Sequence, residues 1–401
     1  MNFEEKKSSV IFRNFYLSNE KIEFECITID EVGRRNKFDA HFILNGEFIP
    51  QNDNIAVALV SLVKRKFKQI IIDLDISESL IKFLIDFTKA EVIVRSLKSK
   101  NFNKSLKENI ILSFSGGIDS LAAFYIMPEA TKLVSIDFED GYEREKNFFS
   151  KFNPYVLKTN VRKPLDIDHN SWEFMGIGAI LYCDYLNAGY NVFGMILEAN
   201  KENFSKFFTL SNINNTHPFS FIGLKDIRYI NGITEVGTSI IASYYDPIKI
   251  ADSLISLSNI GTEKRYRKET LMDIVSKKFN RNISFEKSIP PKYYRAKFGV
   301  NIALDFLCLY IIKNAGLDIA KNTMDNIPIE AVELAEKLDL TFYERINCSC
   351  LNGISFMNDN LRADMIKKVV EAGVYPYTEY DYYEYRQVAN FLNKYHNFYK
   401  H

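Results

Sequence analysis

Cysteine is scarce in this chain and scattered. The five, Cys26, Cys183, Cys308, Cys348 and Cys350, are odd in number and irregular in spacing, so they lay out no disulfide framework. Histidine is as rare: His41, His169, His217, His396 and His401 show no metal-ligand spacing, and no Gly-x-Ser-x-Gly elbow accompanies them. Catalytic zinc and hydrolase triads are therefore poorly supported. Charge of one sign is not in excess either, since 51 Lys and Arg balance 51 Asp and Glu; this disfavours nucleic acid as the main partner. The most apolar stretch, Ile180 to Leu197, is broken by Asp184 and Asn187, and nothing approaches the ~20 apolar residues of a membrane span. Met1 to Lys7 is charged and polar, without the apolar core of a signal peptide. The expectation is a cytoplasmic protein with no membrane partner.

What is present is a chain of 401 residues, 47% hydrophobic and 25% charged, enough for two or three domains with full cores. Residues 1–105 read as a separate α+β domain. Lys21 to Ile27 alternates polar and apolar as a half-buried strand does. Phe42–Leu44 and Phe48–Ile49 flank Asn45-Gly46, a hairpin signal. Ile55–Val63 and Leu80–Phe87 have helical spacing, while Gln69–Asp73 and Glu91–Arg95 are apolar runs of strand length. The polar run from Ser96 to Glu108 reads as a linker. Residues 106–250 alternate strand and helix, the signature of a parallel sheet. The strands are expected at 109–114, 132–136, 155–157 and 191–197, with helices at 119–126, 143–150 and 171–186. Residues 251–401 are expected to be mainly helical and to complete the substrate site.

The chemistry concentrates in one loop. A buried strand, Ile110 to Phe114, runs into Ser115-Gly116-Gly117-Ile118-Asp119-Ser120 and then a helix. Two glycines in succession let backbone amides turn toward one point. The hydroxyls of Ser115 and Ser120, with Ser113 just before them, add donors, and the helix start adds partial positive charge. The result is an anion cradle at a strand's carboxyl end, where open α/β sheets bind ligands.

This Ser-Gly-Gly-x-Asp-Ser string after a first strand resembles the PP-loop of the N-type ATP pyrophosphatases. The resemblance implies an adenine nucleotide alpha-hydrolase-like α/β fold, a parallel sheet with helices on both faces, that cleaves ATP, with Mg²⁺, between its α- and β-phosphates. By the same resemblance Ile136 offers backbone contacts to adenine and Asp137 lies near the ribose; an acidic turn at a strand end explains Asp137 as well. Within the family the segment from Ile180 to Asn200 is similar to 7-cyano-7-deazaguanine synthase, which marks Gly194, Glu198 and Asn200 as candidates. Ile346 to Cys350, Leu361-Arg362 and Glu371 to Gly373 echo its C-terminal end. That family carries four zinc-binding cysteines there; this chain keeps two, too few for a closed site, so no zinc is expected. The implied function is adenylylation of a small carboxylate, a 7-carboxy-7-deazaguanine-like heterocycle, followed by attack of ammonia or an amine. Relatives with N-terminal extensions occur in phage-defence operons, where the amine can be a protein N-terminus, which makes residues 1–105 a candidate surface for a protein substrate or partner. Sulfur transfer, another amidation, or a nucleotide-binding scaffold without turnover are the alternatives.

The densest basic cluster, Lys264 to Lys268, could clamp a triphosphate, but a solvated helix start is the preferred reading. Arg162 and Lys163, after a core strand, are even candidates for substrate contact. Glu235, in Gly232 to Ser239, offers a polar contact or simply belongs to a capped helix start. Cys348 and Cys350 could carry a persulfide, though free buried thiols are commoner. Gly176 and Gly178 are read as packing glycines. The tyrosine-rich tail from Tyr375 reads as a packing surface between domains or subunits, which admits a homodimer.

Overall fold

The computed structural model describes residues 8–99, 107–139, 141–169, 172–205, 218–292, 295–351 and 359–398. Among them the strands are β1 (Ser9–Leu17), β2 (Lys21–Ile29), β3 (Arg35–Leu44), β4 (Gln69–Ser77), β5 (Glu91–Lys98), β6 (Asn109–Ser113), β7 (Lys132–Asp137), β8 (Tyr155–Thr159), β9 (Ala188–Val192) and β10 (Lys225–Ile227). The helices used below are α1 (Asn52–Val63), α2 (Glu78–Thr88), α3 (Ile118–Ile126), α4 (Glu143–Phe149), α5 (Arg162–Leu165), α6 (Ile177–Tyr182), α7 (Glu235–Tyr245), α8 (Ile250–Leu257), α9 (Glu263–Lys278) and α10 (Ile302–Ala315). The protein is α/β, with a large and mostly parallel central sheet.

The chain divides into two compact units. The first gathers Met1–Ser115, Ala130–Val192 and Asn214–Ile227; the second gathers Gly116–Glu129, Phe193–Ile213 and Arg228–His401. The first unit holds one ten-stranded sheet in the order β10-β9-β6-β7-β8-β3-β2-β1-β4-β5. From β10 to β8 every neighbour is parallel, as are β1, β4 and β5. The antiparallel meander β1-β2-β3 joins the two blocks, and β3 meets β8 antiparallel. The expected boundary near residue 105 therefore falls inside one continuous sheet, which the sequence conceals because pairing between β3 and β8 is set by distant residues.

Burial separates the blocks. Ile110, Ile111 and Leu112 of β6 are consecutively buried, as in strands covered on both faces. Along β4 buried and half-buried residues alternate, and this block carries exposed ion pairs such as Arg95–Asp73. Helix α1 is buried almost throughout. Gly178 in α6 lies so close to β7 that a Cβ there would stand 2.9 Å from Val134 Cγ1, so its packing role is structural fact.

Several local expectations change. Asn45-Gly46 makes no hairpin: β3 stops at Leu44, and Asn45 instead receives a hydrogen bond from Tyr182 Oη at 2.7 Å while its own amide donates to that hydroxyl at 2.8 Å. The helix expected at 171–186 narrows to a 3₁₀ turn, Glu173–Gly176, and α6. The strand expected at 191–197 begins earlier and ends at Val192. Ser96 to Lys98, assigned to a linker, extend β5; residues 100–106 of that run lie outside the described residues.

The second unit is mainly helical, with a two-residue pair of strands, Ala296–Lys297 and Met324–Asp325. Its C-terminal helix, Glu379–His396, starts at a full capping box, Thr378 with Asp381, and among the described residues no helix is long and apolar enough to cross a membrane.

Candidate functional site

Helix α3 opens on the glycines. Gly116 adopts φ 79°, a left-handed conformation that a Cβ resists. Gly117 is the N-cap, extended at φ −68° and ψ 158°, without a side-chain cap. The first i→i−4 bond of the helix runs from Leu121 N to Gly117 O at 2.9 Å, so the preceding first-turn amides point out of the helix start, as in any helix. The turn is braced from inside the second unit: Ser253 Oγ on α8 donates to Gly116 O at 2.8 Å. Ser120 Oγ donates to Gly117 O at 2.9 Å, and Ile118 is fully buried.

Gly194 presses its backbone on the same turn. A Cβ there would lie 2.8 Å from Ser120 N and 3.0 Å from Ser120 Cα, a separation that real Cβ atoms do not show.

Asp119, in the first turn of α3, is the hub. Its Oδ1 accepts from Thr238 Oγ1 on α7 at 2.6 Å, and its Oδ2 from Lys268 Nζ on α9 at 3.0 Å. Lys268 also reaches Glu235 Oε1 at 3.1 Å, Arg267 Nη1 reaches the same oxygen at 2.6 Å, and Arg267 Nε pairs with Glu263 at 2.8 Å. Lys268, Arg267, Glu235 and Glu263 are all buried. Burial alone would depress the Lys268 ammonium, but Asp119 and Glu235 outweigh it and hold the group above its usual range. Burial would likewise raise Glu235, but Arg267 and Lys268 outweigh it and hold the carboxyl low. The basic cluster is thus not the solvated helix start expected: Arg265, Arg267 and Lys268 are buried, each matched to a carboxylate. The i,i+4 pairs Glu263–Arg267 and Arg265–Glu269 were the available signal, because such pairs let one helix bury its own charges.

Glu198 completes this neighbourhood. It is 1% exposed; Oε1 accepts from the Glu235 amide at 2.7 Å, and Oε2 is buried without a hydrogen-bond partner. Burial first, and then the charge of Glu235, push its carboxyl up to about 8. The folded chain therefore keeps a proton that the unfolded chain, at an ordinary 4.5, has lost. The stability this group supplies is complete below about 4.5 and is lost as pH rises through about 8, at up to ~1.4 kcal/mol per pH unit. Glu198→Gln should flatten the fall in urea midpoint across that window; an unchanged slope would show the carboxyl to be ionised.

The other candidates sort by unit. In the first, Ser113 Oγ donates to Asn191 Oδ1 at 2.9 Å within the sheet, and half-buried Ile136 lies in β7 opposite Leu157 of β8. Asp137 is buried, paired with Lys146 at 2.8 Å and accepting from the Glu139 amide at 3.0 Å. The Arg162 guanidinium lies over the Tyr142 ring, 3.9 Å from its centroid, and pairs with Asp168 at 2.9 Å. Lys163 is exposed in α5. In the second, Asn200 Oδ1 caps a 3₁₀ turn through the Glu202 amide. Asn347 exchanges backbone contact with Gly232, donating to its carbonyl at 2.8 Å, and Ile346 bridges Ile233 and Pro376. The segment ending in Cys348 and Cys350 is so brought to the start of α7. Burial pushes the Cys350 thiol up to about 12 and raises Cys348 as well. Among the described residues no three His, Cys, Asp or Glu side chains gather where they could hold one metal ion.

Fold and site define an α/β protein in which a parallel strand delivers a glycine-bent turn to a helix start, with an acidic residue held there by a buried ion network. No family model, curated protein or solved structure matches the chain.

Proposed function

We propose that the chain is an AMP-forming, PP-loop-type enzyme that adenylylates a small carboxylate with ATP and passes the acyl group to ammonia or an amine. One observation carries the reading: the strand–Ser-Gly-Gly-Ile-Asp-Ser–helix turn, with Gly116 in a left-handed conformation and Asp119 fixed by Thr238 and Lys268. A carboxylate oxygen attacks the α-phosphorus, the bond to the bridging oxygen breaks, and pyrophosphate leaves with the electron pair. First-turn amides and the Ser115 hydroxyl supply donors where that charge gathers, while Ser120, whose hydroxyl donates to Gly117 O, holds the shape of the turn. Asp119, with Lys268 behind it, orders the turn; Mg²⁺ would supply further charge neutralisation when bound. The two thiols, both raised by burial, weigh against sulfur transfer, which needs a thiolate.

ATP–pyrophosphate exchange tests the proposal. With 7-carboxy-7-deazaguanine as the first acid, label should pass from pyrophosphate into ATP only when the acid is present. Tight ATP binding with no exchange for any acid tried would leave a nucleotide-binding scaffold, and release of ADP would overturn the reading.

A further inference from the structure

Arg228 is the residue that leaves β10. Ile227 pairs with Val192 of β9, and Val192 with Leu112 of β6, all parallel. Arg228 therefore follows directly on the carboxyl end of a parallel strand, the end at which open α/β sheets meet ligands. The Arg228 side chain is partly buried, and its Nε and Nη1 are closed off from solvent with no hydrogen-bond partner. Arg162, Arg265 and Arg267, by contrast, each face a carboxylate.

A guanidinium cannot relieve burial by losing its proton, and a buried N–H left without an acceptor costs free energy. Its planar N–H groups match the oxygens of phosphate and carboxylate better than any other chemistry. We propose that Arg228 binds an oxyanion of the substrate, either a phosphate of the nucleotide or the carboxylate to be activated. The choice of these two sources rests on the adenylylation reading; the anion site does not.

The test is titration calorimetry on the full chain with three probes: magnesium-ATP, inorganic pyrophosphate and pyrrole-3-carboxylate. Arg228→Met should weaken at least one of them about tenfold or more, with Arg228→Lys intermediate because it keeps charge without the planar donors. Loss for ATP and pyrophosphate assigns the phosphate; loss for pyrrole-3-carboxylate alone assigns the acid. Removing two buried N–H groups that have no acceptor should leave the melting temperature of the unliganded Arg228→Met chain unchanged or raised, whereas loss of a purely structural arginine lowers it. Weaker pyrophosphate binding in a chain that never releases AMP would end the adenylylation reading and keep the anion site. Unchanged affinity for every probe, or no binding of any of them by the parent chain, overturns the proposal.

Discussion

Asp119→Ala is expected to lower AMP release by about a hundredfold or more, the scale on which electrostatic groups at a transition state act, while the fold persists. The carboxylate is partly open, its side chain 26% exposed, so its loss weighs little on the core. Its two bonds, to Thr238 Oγ1 and Lys268 Nζ, are what fix the first turn of α3 against α7 and α9. Without it Lys268 keeps only Glu235 and is drawn away from the turn. Asp119→Asn separates the contributions, since it retains an oxygen for Thr238 and discards the charge that faces Lys268. If charge matters, Asn should be nearly as slow as Ala; if only the turn's shape matters, Asn should approach the parent rate. The measurement is AMP release with the acid that supports exchange, alongside the thermal unfolding transition. Full activity in the alanine variant would remove Asp119 from the mechanism.

The loop was legible because its message is local. Six consecutive residues after an apolar strand state both the conformation, through Gly116 and Gly117, and the chemistry, through Asp119 and the serines. The alternation that gives β6, α3, β7, α4 and β8 was legible for the same reason. What the string could not show is who holds Asp119. Lys268 is distant in sequence and lies in a helix whose opening, Glu263 to Glu269, is nearly all charged, so composition argues for solvent while the structure buries it. Burial there follows from mutual neutralisation across α3, α7 and α9, a long-range property. Asn45-Gly46 misleads in the opposite direction: a strong short-range turn signal is overridden because Tyr182 and Val156 take the asparagine's polar atoms. Gly194 was named only by resemblance, and its reason, contact with the Ser120 backbone, appears only once α3 is placed.

Glu235→Ala should give the largest loss of stability, about 3 kcal/mol or more, the range for removing one partner of a buried ion pair. Its Oε1 serves both Arg267 at 2.6 Å and Lys268 at 3.1 Å, and all three are buried. Two cations are then left with one acid each, Arg267 with Glu263 and Lys268 with Asp119, which holds the effect near the low end of that range. Part of the loss is offset at Glu198, whose ionisation Glu235 opposes. Because the cost arises from stranded charge rather than lost volume, removing a stranded cation should restore part of it. The double variant Glu235→Ala/Arg267→Met should therefore be less destabilised than the sum of the single variants, a coupling read directly from denaturant midpoints. Additive effects, or a loss below about 1 kcal/mol for Glu235→Ala, would mean that water reaches these groups as it does a surface pair. Lys268 would then be free to leave Asp119 without penalty, and the buried network could not be what holds the turn.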